Sequence, residues 1–203
     1  MNAKFWTTEL RALTVPERDL SWTEHIRSNQ EAYRRRVTIL EQACRNRATG
    51  QMTMASEERL ALLGEHVMWI LTSTVKPLRD EATRALYWFG RAFPRRLLSL
   101  VEAGLDLNDP YVPERLFAAS YGVVMARCWE KQPGGFVELH LPLFVDLVFR
   151  SVFGDGARDA TTHALARDYA RGMAPIVWAF DAPLSGHART SSRCLRSSRT
   201  SPL

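Results

Sequence analysis

Apolar residues return every three or four positions along most of this chain, and no segment sustains a strict alternation of apolar and polar. The first pattern marks a helix with one buried face and the second a half-buried strand, so helices and no sheet are predicted. Tyr33, Val37, Leu40 and Cys44 form the stripe of a helix over about 31–47, with Arg34, Arg35 and Arg36 largely off it as a solvated face. Gly50 to Ala55 reads as a loop, and Ser56 can cap the next helix. Leu60, Leu63, Val67, Ile70 and Thr74 stripe that helix, which Pro77 is expected to end. Ala82, Ala85, Leu86 and Phe89 then form a packed face over 78–91. Leu97, Leu98 and Val101 do so over 94–103, with Gly104 placed to stop the helix.

Asp109-Pro110 is a strong helix start: Asp can cap, and Pro at a first position loses no needed N–H. Val112, Leu116, Ala119 and Val123 follow at helical spacing. Gln132-Pro133-Gly134-Gly135 and Gly154-Asp155-Gly156 read as turns, with Leu141, Phe144, Val148 and Val152 buried between them. The last helix carries Leu165, Tyr169, Met173, Ile176 and Phe180, and Gly172 and Pro175 are expected to kink or split it. Near the N-terminus, Ser21-Trp22-Thr23-Glu24 has capping-box form and predicts a start near Trp22.

One phrase occurs twice. Arg79-Asp80-Glu81-Ala82-Thr83-Arg84-Ala85-Leu86 returns as Arg158-Asp159-Ala160-Thr161-Thr162-His163-Ala164-Leu165, with five of eight positions identical and an offset of 79. Two periods of about 40 residues would span that offset, the length of a HEAT or armadillo unit. The expectation is an all-α, HEAT- or armadillo-like array of about eight helices over 1–184, followed by a Ser/Arg-rich tail over 185–203. The tail has too few apolar residues to offset its ordering entropy and is expected to be disordered.

Charge adds little. The net charge of +5 includes Arg189, Arg193, Arg196 and Arg199 of the tail, so the body carries about +1. Nucleic-acid binding is therefore expected to be weak and tail-borne. The apolar stretch 136–153 contains Glu138, His140, Asp146 and Arg150, which argues against a membrane span. Cys44, Cys128 and Cys194 are widely spaced without a CxxC, which suits free thiols in a cytoplasmic protein.

The motifs of chemistry are not found. Lys4, Lys76 and Lys131 do not follow a glycine-rich loop, so no Walker A cradle can be drawn. His25, His66, His140, His163 and His187 show no metal-ligand spacing, and no GxSxG occurs. No catalytic residue, cofactor or metal is expected. What remains is charge at the helix starts: Asp80, Asp109 and Asp159, where an acid favours the helix dipole, beside Arg79, Arg115 and Arg158. These read first as caps and ties between helices, and otherwise as a partner-binding surface.

Four blocks carry a family resemblance. They are Val15 to Glu24; Trp69 to Thr83; Asn108 to Arg115 with Ala118-Ala119-Ser120-Tyr121-Gly122; and Thr161 to Arg171, which includes Arg167 and Asp168. In order and spacing they resemble the helical-repeat region of large bacterial ATP-binding proteins of the STAND NTPase type, some of them antiviral. The resemblance covers about residues 10–180. It implies a non-catalytic fragment of a sensor array that recognises a protein, either a phage or host protein or the NTPase portion of a parent protein. The candidate interaction or structural residues are Arg79, Asp80, Asp109, Glu114, Arg115, Tyr121, Arg158, Asp159, Arg167 and Asp168. Three alternatives stand beside it. One is a nucleic-acid module, favoured if Arg34, Arg35, Arg47 and Arg59 share a face. Another is a small enzyme, favoured if His163, Asp168 and Glu114 converge in a deep pocket. The last is a nonfunctional gene remnant.

Overall fold

A computed structural model describes residues 3–129, 141–153 and 163–181, and every regular element among them is helical. Two short helices, α2 (Val15–Arg18) and α3 (Glu24–Ser28), flank a π-helical turn, Asp19–Thr23, just after α1 (Ala3–Ala12). Then come α4 (Gln30–Ala48), α5 (Glu57–Ile70), α6 (Lys76–Ala92), α7 (Pro94–Leu105) and α8 (Tyr111–Trp129). Helices α9 (Leu141–Phe153) and α10 (Ala164–Asp181) complete the described chain.

Four of the stripes read from periodicity are buried along their length, while Thr74 of the α5 stripe and Leu165 of the last one are exposed. Tyr33, Val37, Leu40 and Cys44 of α4 are buried, as are Ala82, Ala85, Leu86 and Phe89 of α6. The same is true of Val112, Leu116, Ala119 and Val123 in α8, and of Leu141, Phe144, Val148 and Val152 in α9. Buried residues from Leu10 to Met173 form one contiguous cluster. Ser56 caps α5 by accepting the Arg59 N–H at 3.3 Å.

Several boundaries differ from expectation. No helix starts at Trp22. The capping residue is Thr14, whose N–H and hydroxyl donate to the Glu17 carboxylate at 2.8 and 2.7 Å, while Ser21 donates to the Glu17 carbonyl. Helix α5 stops at Ile70, before Pro77, and Thr74 is exposed. Pro77 instead sits in the first turn of α6, where its missing N–H has no intrahelical partner to lose. Helix α7 ends one residue past Gly104, which lies in its last turn, buried beneath Leu116. Helix α10 runs unbroken through Gly172 and Pro175, with Gly172 passing under the ring of Tyr121.

The two copies of the repeated phrase do not occupy equivalent places. Ala85 and Leu86 are buried, whereas Ala164 and Leu165 are exposed in the first turn of α10. Helices α6 and α10 begin 88 positions apart, not 79, so the phrase has slipped in helical register and its last residues face solvent. Arg158, Asp159, both glycine turns, the tail and the side chains of Ile176 and Phe180 lie outside the described residues.

Helices α4, α6, α8 and α10 pack side by side in that order. Their contacts advance together along both partners, which makes neighbours parallel. Arg34 meets Glu81, Glu41 meets Arg84 and Arg45 covers Trp88 across α4 and α6. Asp80 meets Arg115 and the Arg91 carbonyl meets Arg127 across α6 and α8. Across α8 and α10, Glu114 meets His163 just before the helix, and Tyr121 meets Tyr169. Helices α5 and α7 pack against this row, with a Glu57–Arg96 pair between them, and α1 lies on α5. Among the described residues no helix is long and apolar enough to cross a membrane.

Candidate functional site

The parallel row brings the starts of α6, α8 and α10 to one end of the molecule, and most of the charged candidates gather there. Asp80 accepts from Arg115 Nη1 at 2.6 Å. Arg115 Nε lies 3.6 Å from Glu114, and the other Glu114 oxygen lies 3.6 Å from His163 Nε2. One step further back, Arg34 donates from Nε to both oxygens of Glu81, at 3.2 and 2.9 Å. The result is a ladder of polar contacts that reaches from α4 to the start of α10.

Arg79 and Asp109 belong to the inner side of this end. Arg79 is buried; its Nη1 donates to the Ser73 carbonyl at 2.6 Å and its guanidinium lies 4.3 Å from the Tyr111 ring centre. Asp109 accepts the Tyr111 N–H at 3.0 Å and so caps α8. Its other oxygen lies 3.5 Å from Arg18 Nη2, and that arginine is only 2% exposed. Burial raises the Asp109 pKa, against the pull of the Tyr111 N–H and of Arg18. Asp80, by contrast, is not a cap: Val75 holds that position, and Asp80 sits more than one turn into α6.

Tyr121 and Arg167 are packing residues between helices. The Tyr121 ring lies 6.0 Å from that of Tyr169, and Arg167 lies 4.6 Å from the Phe153 ring centre. Asp168 is exposed on α10. His163 and Glu114 therefore meet while Asp168 stays outside, and the cavities described below are lined by other residues. The arginines named for nucleic acid do not share a face either. Arg34 turns to Glu81 on α6, Arg35 pairs with Glu31, Arg47 covers Phe93, and Arg59 lines a groove on the far side of α4. No three His, Cys, Asp or Glu side chains among the described residues come together as a metal site.

The groove holding Arg59 has no counterpart in the sequence reading. It runs between α1, α4 and α5, has a volume of about 290 Å³, and is lined by Ala3, Arg36, Ile39, Leu62, Leu63 and His66 as well. His66 is buried, and its ring stacks on Tyr33 at 5.7 Å. Burial, assisted by the charge of Arg36, lowers its pKa to about 4, so the ring is neutral at pH 7 and its Nε2 accepts from Arg36 Nη1 at 3.3 Å. The one signal for this in the sequence is that His66 adjoins the apolar run Val67 to Leu71. A second groove, of about 360 Å³, lies between Trp6, Trp22, His25 and Tyr33.

No family model, curated protein or solved structure matches the chain.

Proposed function

We propose that the chain is a non-catalytic recognition or scaffold segment, built as a HEAT- or armadillo-like array and drawn from the sensor region of a STAND-type ATP-binding protein of the antiviral kind. The observation that carries this reading is the parallel row α4, α6, α8 and α10, joined at its starts by the Arg34–Glu81 and Asp80–Arg115–Glu114–His163 contacts. Helices stacked in this way bury their flanks against neighbours and leave an extended face for a protein partner. The charged ladder serves as the tie between units, because the Arg34–Glu81, Asp80–Arg115 and Glu114–His163 contacts each link one helix of the row to the next. Parentage rests on the four-block resemblance alone, and a cytoplasmic location goes with it.

The test has two arms. The chain is co-expressed with the protein encoded immediately upstream in its own genome, and ATP turnover is followed for the purified chain alone. A P-loop protein that co-purifies with the chain, and no phosphate release by the chain itself, are the expected results. Steady phosphate release that disappears on Glu114→Gln would make this an enzyme with its site at the Glu114–His163 contact, and would end the non-catalytic reading. An upstream frame without a P-loop would end the STAND parentage.

A further inference from the structure

Some arginines of this molecule are matched by an acid on another helix. Arg34, Arg84, Arg96 and Arg115 each reach a carboxylate on a neighbouring helix. The groove between α1, α4 and α5 is lined by two arginines that are not so matched. Arg36 is fixed there by two uncharged groups, the His66 Nε2 at 3.3 Å and the Tyr33 ring, whose centre is 5.0 Å from the guanidinium carbon. Neither partner neutralises it. Arg59 lines the same groove and makes no ion pair with any described residue. The remaining walls are apolar, and Ile39 and Leu62 are exposed at 58% and 36%.

Two uncompensated guanidinium groups beside an apolar floor define a ligand by complementarity: an anionic head that can accept forked N–H donors, on an apolar body. We propose that this groove binds a small amphiphilic carboxylate, its head held by Arg36 and Arg59 and its chain laid against Ile39, Leu62 and Leu63. The volume of about 290 Å³ lies at the small end for ligand pockets, which suits a chain of medium length. Arg36 is already positioned by His66 and Tyr33, so little side-chain freedom is lost when the head arrives. The neutral state of His66 matters as well, since a charged ring would push Arg36 away. The proposal does not depend on the chain belonging to a larger array.

Calorimetric titration of the full chain with decanoate, decan-1-ol and decyltrimethylammonium, each below its aggregation concentration, tests it. Decanoate is expected to bind at least tenfold more tightly than the alcohol or the cation. Arg59→Gln is expected to weaken decanoate five- to tenfold, leave the alcohol unchanged and leave the melting temperature unchanged, because Arg59 is exposed. Arg36→Gln should weaken decanoate at least as much. Equal affinity for the three probes would reduce the groove to a greasy patch and overturn the proposal. So would decanoate binding that is indifferent to Arg59→Gln, or no decanoate binding up to its solubility limit.

Discussion

Asp109 and Arg115 look alike in the sequence, a charged residue at each side of one helix start, but burial separates them. Arg115 bonds to Asp80, which is 49% exposed, so water can take over there when the pair is broken, and Glu114 keeps its contact with His163. Asp109 faces Arg18 at 2% exposure, and removing it leaves a buried guanidinium without its carboxylate as well as an uncapped helix. Asp109→Ala is expected to cost about 3 kcal/mol in urea denaturation, above the ~1 kcal/mol of a cap alone. Arg115→Ala is expected to cost roughly 0.5–1 kcal/mol. The reverse order would show that Arg18 finds another partner. His66 supplies a pH signature. Its folded pKa of about 4 lies below the ordinary histidine value of 6.5, so the unfolded chain binds a proton that the folded chain refuses. Stability should therefore fall as pH drops from about 6.5 to 4, by about 3 kcal/mol in total, and level off below. Denaturation curves of His66→Phe should lack that slope, and a slope that persists unchanged would place its source elsewhere.

At the scale of elements, close approach of α6, α7 and α8 depends on Gly90. A methyl group there would meet the Leu97 side chain and lie 2.8 Å from Val123 Cγ2, both of which are buried. In an exposed helix Gly→Ala would be favourable by about 1 kcal/mol through propensity. Here overpacking of roughly 1–3 kcal/mol opposes it. Gly90→Ala is expected to lower stability by about 1–2 kcal/mol in thermal or urea melts, and a stabilised variant would mean that the three helices can part without loss. Much of the element pattern was legible beforehand. The stripes of α4, α6, α8 and α9 follow from spacing because one face of each is buried along its whole length. The ends were less legible. Pro77 starts a helix where it was expected to stop one, because proline is compatible with a first turn and only the neighbouring fold says which side of it the helix lies on.

For the whole molecule, the single contiguous core from Leu10 to Met173 predicts one cooperative transition. Tryptophan fluorescence, which sums the six tryptophans from Trp6 to Trp178, should change together with far-ultraviolet circular dichroism. Two separated midpoints would mean that part of the fold unfolds independently. The same connectivity explains why the candidate residues divide as they do. Asp80, Arg115, Glu114 and His163 come together because parallel helices place their starts at one end, and that is a property of packing order, invisible to any local window.

The sequence by itself determined which faces are apolar and where Ser56 and Asp109 cap, because periodicity and capping are local consequences of helical geometry. It also placed charge at the helix starts. It did not determine which charges are paired. Arg34 and Arg36 are two positions apart on α4, yet one lies on Glu81 and the other on neutral His66 in a groove without an acid. Nor did it distinguish the two copies of the repeated phrase, whose shared Ala-Leu ending is buried in α6 and exposed in α10. Residues two apart on a helix point to opposite flanks, and only the neighbours that tertiary packing brings to each flank decide whether a charge is a tie or an open site.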